Sequence, residues 1–277
     1  MLKKLIKYDI KYLFSWCRYL WLIGLTAGVT VVVMSALAVK TNNELFSLLA
    51  VLGVIALLLF NFASQVCVYI RYYKSIATDE AYLTFTLPVS RKSFLLSKLI
   101  TSLIEAFARY LFLAPFAIAM YLFVPYYDAP KDFINQENLT GLRNFFTETW
   151  ATVGAWMILY LLLIILFLAI ITVIVTGGVY LAITLGSNLT QKNKLLVTLG
   201  VLYLVYLISS YVFPITLAIP MVTVIVPIID LILALPTGMI CAAWFVGGMI
   251  ICLTFAALAC AVIFINLGIL ERKLNLQ

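Results

Sequence analysis

Histidine is absent from the 277 residues, and charged residues make up only 10% of them. Without His, Ser-His-Asp triads and most zinc sites lack their usual base or ligand. The five cysteines lie in or beside apolar runs with no C-x-x-C pair, which is typical of small packing residues. The sequence therefore indicates neither a hydrolase nor a metalloenzyme, and it assigns no catalytic or metal-binding residue.

Long apolar runs dominate what is present. Hydrophobic residues make up 65% of the chain, and the mean hydropathy is +1.16. Runs of about 20 residues match a hydrocarbon core of about 30 Å, and their continuous apolar character favours helices over barrel strands. We expect one all-α transmembrane domain over residues 1–277, with six spans. The predicted spans are residues 19–39, 45–70, 99–124, 149–185, 195–212 and 239–269.

The positive charges fall on alternate connections between these runs. Of 18 Lys and Arg, 14 share a side with the N-terminus, three lie on the other side and one lies inside a span. Because cationic loops beside spans stay in the cytoplasm, both termini are predicted to be cytoplasmic. We expect a plasma membrane, in a bacterial cell. The net charge of +7 fits contact with anionic lipid, so no nucleic-acid partner is expected.

Segments outside the spans have distinct patterns. Residues 1–18 have apolar residues at helical spacing and cations on the opposite face, which predicts an interfacial amphipathic helix or, alternatively, an extension of the first span. Residues 125–148 form the main outer loop. Four prolines interrupt residues 213–237, which predicts short, shallow or re-entrant helices on the outer side. The fourth span is longer than one crossing needs, so it tilts, projects or breaks at Gly177-Gly178.

Four polar residues lie inside predicted spans. Glu105 and Arg109 are four residues apart, which places them on one helix face. Because a lone charge at a helix centre costs roughly 2.5–3.5 kcal/mol on insertion scales, we interpret them as an ion pair. A gating, substrate-contacting or proton-relay role stays open. Asn61 and Gln65 share a face of span two and either bond to another helix or line a pathway.

The cytoplasmic connection at residues 71–98 carries five cations. Asp79 and Glu80 precede the apolar stretch 81–87, and acids suit a helix N-terminus. Pro88 ends that stretch, and Ser90 can cap the next helix. The pattern predicts a short helix with exposed aromatic side chains that either docks a soluble partner or lies on lipid.

This connection carries a recognisable motif. An acid is followed by Leu-Thr-x-x-Leu-Pro-Val-Ser, a basic residue and Leu-x-x-Ser-Lys. The matching residues are Glu80, Leu83, Thr84, Leu87, Pro88, Val89, Ser90, Arg91, Leu95, Ser97 and Lys98. The motif, and the layout of six spans around it, resemble the ABC-2 type permeases, which are the membrane subunits of ABC exporters.

The resemblance implies a coupling helix that docks on a cytosolic ABC ATPase. Its contact residues would be Asp79, Glu80, Tyr82, Leu83, Phe85, Leu87 and Pro88. A second permease copy, identical or not, would complete the complex. The chain has no G-x-x-x-x-G-K-[ST] motif, so ATP and Mg would bind the partner, and no cofactor is expected here.

The implied function is ATP-driven export of an amphipathic substrate, such as a bacteriocin-like peptide, a drug or a lipid-like compound. Two alternatives remain: a secondary transporter driven by an ion gradient, and a membrane immunity or sensor protein that transports nothing.

Overall fold

The described part of the chain is almost entirely helical, in a computed structural model without strands there. The described residues are 2–41, 43–78, 80, 90–123, 139–141, 143, 144, 147, 154, 156–189, 193–220 and 237–272. Within these ranges there are seven helices of 15 residues or more. They are α1 (Leu2–Trp16), α2 (Arg18–Thr41), α3 (Glu44–Ala77), α4 (Arg91–Phe123), α5 (Trp156–Leu189), α6 (Lys194–Pro220) and α7 (Thr237–Arg272).

Six of these helices, α2 to α7, are long and apolar enough to cross a membrane. The shortest apolar segment, Arg18–Ala38, has 21 residues. At about 1.5 Å per residue it matches a hydrocarbon core of about 30 Å. A helix also satisfies its own backbone hydrogen bonds, which lipid cannot do. The predicted all-α class with six membrane-length helices is confirmed.

α3 and α4 both extend beyond the spans that hydropathy predicts for them. α3 continues past residue 70 to Ala77, and α4 begins at Arg91, ahead of the span predicted from residue 99. Ser90 caps α4 as expected, since its hydroxyl accepts a hydrogen bond from the Ser93 amide at 3.3 Å. Hydropathy marks the lipid-crossing part of a helix, whereas the hydrogen-bonded turns continue into the polar flanks.

The fourth membrane-length helix, α5, does not break within its described residues. Gly154 lies in a turn with φ of 54°, and α5 begins at Trp156. The helix then continues through Gly177 and Gly178 to Leu189, so a break at these glycines is wrong. Each glycine lowers helix propensity by only about 1 kcal/mol, which a hydrogen-bonded membrane helix tolerates.

The helix that contains the predicted fifth span continues past residue 212, the predicted end of that span. α6 runs to Pro220 with Pro214 inside it. A proline frees one carbonyl in the previous turn, and membrane helices tolerate this where side chains and neighbouring helices compensate. The predicted short helices at residues 221–236 lie outside the described residues.

α1 has the predicted two-sided character. Lys3, Lys7 and Lys11 are exposed, whereas Leu13 is buried. Asp9 is also on the buried side, at 5% exposure, which the sequence pattern did not predict.

Contacts divide the chain into two compact units. Unit 1 contains Met1–Lys7, Tyr69–Leu103 and Trp150–Gln277, and unit 2 contains Tyr8–Val68 and Ile104–Thr149. Within unit 1, α5 packs against both α6 and α7. Unit 1 therefore joins the flanks of the predicted coupling loop to the last three membrane-length helices.

Candidate functional site

The four polar residues predicted inside spans meet within unit 2. Asn61 and Gln65 lie on α3, and Glu105 and Arg109 lie one turn apart on α4. The Glu105 and Arg109 side chains are 1% and 3% exposed, so protein encloses both charges. With Ser64, these residues form what we call the charged cluster.

Arg109 binds α3 at two points. Its Nη2 donates to the amide oxygen of Gln65 at 2.6 Å, and its Nη1 donates to the backbone carbonyl of Asn61 at 3.1 Å. The planar guanidinium suits such divergent acceptors. The sequence predicted a role for the Asn61 side-chain amide, but Arg109 contacts this residue through its carbonyl. Gln65 takes part through its side-chain amide oxygen.

Glu105 is held by one hydrogen bond and one ion pair. Its Oε1 accepts a hydrogen bond from the Ser64 hydroxyl at 2.5 Å, and its Oε2 lies 3.7 Å from Arg109 Nη1. Among the described residues, Oε2 accepts no hydrogen bond, and Arg109 Nε donates none. Because buried polar atoms normally have such a partner, the pair is enclosed but not fully satisfied.

Ser64 is the member of the cluster that sequence reasoning missed. It lies three residues after Asn61 and one before Gln65, so helical spacing places all three on one face. Because a serine is unremarkable in a membrane helix, only its alignment with two amides could have identified it.

Aromatic rings pack together in the same unit. Trp21 contacts Phe60 and Phe112 edge-on, at centroid distances of 5.6 and 5.1 Å. Gly24 makes room for them, since a Cβ there would lie 2.9 Å from a Phe60 ring carbon. Phe60 precedes Asn61, and Phe112 follows Arg109 by three residues, so the charged cluster borders an apolar, ring-filled layer.

A pair of thiols adds to the buried polar groups of unit 2. Cys17, between α1 and α2, is fully buried, and Cys67 on α3 is 8% exposed. A hydrogen bond with the Cys67 thiol, together with burial, raises the pKa of Cys17. Cys17 is therefore a neutral packing group at physiological pH, as the sequence pattern indicated.

The predicted coupling residues are described in part only. Glu80 is helical, and its carboxylate pairs with the Arg71 guanidinium at 2.9 Å. The side chains are 48% and 20% exposed, so solvent screens this pair. The other predicted coupling residues lie outside the described residues: Asp79, Tyr82, Leu83, Phe85, Leu87 and Pro88.

Both flanks of the coupling loop are tied to other helices of unit 1. Lys194 Nζ, at the start of α6, donates to the Ala77 carbonyl at the end of α3 at 3.4 Å. Arg91 Nη1, at the start of α4, donates to the carbonyls of Leu270 and of Glu271, the latter at 2.8 Å. The last carbonyls of a helix lack partners and attract cations. We call these three hydrogen bonds the anchor contacts.

Aromatic stacking reinforces the anchor contacts within unit 1. The rings of Tyr72 on α3 and Tyr180 on α5 stack at 3.8 Å with an angle of 13°. The Tyr180 hydroxyl donates to the Lys98 carbonyl on α4 at 3.5 Å. These contacts connect α3, α4 and α5 close to the coupling loop.

Asn266 joins α5 and α7 in the same unit. Its Nδ2 donates to the Gly177 carbonyl at 3.0 Å, and its Oδ1 accepts from the Thr184 hydroxyl at 2.8 Å. The side chain is 1% exposed, and both ends of its amide are satisfied. All five membrane-length helices that contribute to unit 1 are therefore connected by polar or aromatic contacts.

The described residues offer polar contacts and aromatic packing but no metal-binding group of three or more Cys, Asp or Glu. No family model, curated protein or solved structure matches this chain.

Proposed function

We propose that this protein is the permease subunit of an ATP-driven exporter of the ABC-2 type. The proposal rests on the motif from Glu80 to Lys98 and on the geometry around it. The chain would form half of a pathway, with a second permease copy forming the other half. Separate cytosolic ATPases would bind ATP and Mg.

The anchor contacts are the observation that carries the proposal. Residues 79–89 connect two helix ends, Ala77 and Arg91, and each end is hydrogen-bonded to another membrane-length helix. A force applied to this segment would therefore act on α6 and α7 as well as on α3 and α4. A loop attached only to α3 and α4 would pass the force to those two helices and not to α6 or α7.

The mechanism that follows is mechanical. ATP-driven closure of the partner subunits would shift residues 79–88, and the anchor contacts would pass the shift to α6 and α7. Packed helices respond to such a shift by switching between discrete arrangements, which would open or close the pathway. The chain itself would carry out no covalent chemistry.

The proposed setting is a bacterial plasma membrane with both termini in the cytoplasm. In intact cells, a membrane-impermeant thiol reagent should label N144C and not K92C, in a background without other cysteines. Both positions are exposed at helical residues. Labelling of K92C instead would reverse the orientation and place residues 79–88 out of reach of a cytosolic ATPase.

Co-purification tests the ATPase partner. The chain, isolated from its native host with its partners, should bring down an ATPase. L83D and F85D should release that ATPase, because each places a carboxylate in the proposed apolar contact. L139D adds the same charge at an exposed residue predicted on the opposite side and should retain it. An ATPase that stays bound to both loop variants, with unchanged hydrolysis, would contradict the proposal.

A secondary transporter is the second candidate, because Glu105 is buried with one carboxylate oxygen that accepts no hydrogen bond. Such a group could exchange a proton or an ion. Transport measured in proteoliposomes separates the two candidates. If the protein is a secondary transporter, a pH gradient without ATP should drive transport, and E105Q should abolish it. Transport that needs ATP and survives in E105Q would favour the exporter.

A further inference from the structure

A cavity of about 380 Å³ lies between the ends of α5 and α7 in unit 1. This volume falls in the range of small-ligand sites, about 300–1,000 Å³. Its walls include the apolar side chains of Leu185, Ile265 and Ile269. Among the described residues, none of the charged cluster lines it.

The lining changes character along the two helices. Leu185 and Ile265 lie about one turn or more before the helix ends, whereas Asn188 and Glu271 lie within one residue of those ends, where Leu189 also lines the cavity. The cavity is therefore apolar toward the middle of the helices, and its polar side chains lie at their tips. A phospholipid, which has an acyl chain below a polar headgroup, follows the same gradient.

The two polar residues select opposite parts of a headgroup. Asn188 Nδ2 is a buried donor without a hydrogen-bond partner among the described residues. It would bind an acceptor such as an ester or phosphate oxygen. Glu271 is exposed and is the charged residue among the described lining residues, so its carboxylate favours an ammonium and disfavours an anion.

We propose that this cavity binds a phospholipid whose headgroup carries a primary ammonium. The acyl chain lies along Leu185, Ile265 and Ile269, Asn188 donates to a headgroup oxygen, and Glu271 binds the ammonium. A quaternary ammonium lacks N–H donors for Glu271, and an anionic headgroup lacks the cation. The site needs no ATPase, so it can be tested apart from the proposed function.

Gly268 is a lining position at which a larger side chain can be introduced without a clash at its Cβ. A Cβ at this position would meet no atom within 4 Å, and the same holds for Gly200 on α6. G268F therefore places a ring in the cavity, while G200F is a matched control with an equally open glycine outside the lining. Both changes also replace a poor helix former.

Native mass spectrometry of the full chain tests the site. The protein is released from nanodiscs containing equal amounts of phosphatidylethanolamine, phosphatidylglycerol and phosphatidylcholine. We expect one retained phosphatidylethanolamine, favoured about tenfold over the other two, because a charge-assisted hydrogen bond has about that effect. G268F should lose this lipid, and G200F should keep it. E271Q should retain lipid but lose the preference.

Two results with the variants would overturn the proposal, as would a wild-type preference for phosphatidylglycerol. One is equal retention of phosphatidylethanolamine by G268F and G200F, and the other is an unchanged preference in E271Q. If G268F does not fold, E271Q still decides, because it alters only an exposed side chain. Preferred retention of phosphatidylglycerol would show that cations rather than Glu271 select the lipid.

Discussion

Arg109 is an example of a charge that a membrane helix can hold only because a second helix supplies its acceptors. Gln65 Oε1 and the Asn61 carbonyl both come from α3, while Glu105 comes from the same helix as Arg109. An isolated charge at this depth would be drawn toward water or neutralised. The charged cluster therefore acts first as a lock between α3 and α4.

Removing one charge of this pair should cost more stability than removing both. R109M leaves Glu105 buried without its counter-ion, a change that costs about 3–5 kcal/mol for comparable pairs. The double variant E105Q/R109M leaves neutral groups and should be more stable than R109M. Unfolding in mixed micelles with increasing sodium dodecyl sulfate measures both. A double variant that is as unstable as R109M, or less stable, would rule out charge as the cause.

The Ser64 hydroxyl should matter because its hydrogen bond crosses between helices. S64A leaves Glu105 Oε1 without this donor, and an orphaned buried acceptor costs about 1–3 kcal/mol. Ser102 is an apt comparison, since it is equally buried but donates to the Leu99 carbonyl of its own helix at 2.7 Å. S102A should have a smaller effect in the same unfolding assay. Equal losses would mean that only packing volume counts.

At the scale of elements, α6 approaches two glycines of α5 to different degrees. At Gly186 a Cβ would lie 2.4 Å from Thr198 Oγ1 and 2.6 Å from Thr198 Cα, which is backbone that cannot yield cheaply. At Gly178 a Cβ would lie 3.6 Å from Val205 Cγ1, an ordinary contact. Only one of these glycines is therefore required for close packing.

G186A should destabilise the protein and G178A should not. The added methyl at 186 forces α5 and α6 apart, and overpacking costs typically about 1–3 kcal/mol. At 178 the gain in helix propensity should offset any small strain. The thermal stability of the two variants in one detergent gives the comparison. A stable G186A would mean that the helices do not approach as closely as the structure has them.

The same elements show how far the sequence could predict the fold. Six continuous apolar runs predict six helices because a barrel strand would alternate apolar and polar residues, and all six appear. Helix ends follow less directly from hydropathy. Arg71 and Lys74 lower hydropathy without breaking α3, and Pro214 reads as a stop although α6 passes through it. Hydropathy indicates whether a segment lies in lipid or in water, whereas the residue at which a helix ends depends on capping side chains and on contacts with neighbouring helices.

The charged cluster illustrates the limit for sites. Spacing predicts that Glu105 and Arg109 share a face, and that Asn61 and Gln65 share another, since both are properties of single helices. That the two faces meet depends on how α3 and α4 pack, which no local pattern encodes. The anchor contacts could not be predicted for the same reason, since Arg91 and Leu270 are 179 residues apart in the sequence.

At the scale of the whole molecule, unit 1 brings together parts of the chain that are distant in sequence. The coupling-loop flanks, 69–103, share this unit with α5, α6 and α7. The proposed function requires that movement of the loop reach these helices. Hydrogen bonds from Arg91 and Lys194 are the specific links, and they can be cut without changing residues 79–88.

Cutting the links should uncouple the protein from its ATPase without releasing it. In R91Q/K194M the anchor contacts are lost, while the loop surface that would bind the ATPase is intact. We expect the ATPase to co-purify and to hydrolyse ATP, but transport per ATP to fall by about fivefold or more, the lower range of measured coupling effects.

Hydrogen exchange then shows where coupling is lost in the variant. ATP should change protection at the start of α6 and the end of α7 in the wild type and not in the variant. K92Q, which removes an exposed cation next to Arg91, should behave as the wild type. An ATP response that persists in R91Q/K194M would mean that force enters the helices elsewhere, whereas loss of the ATPase itself would show that the anchor contacts shape the docking surface rather than transmit its motion.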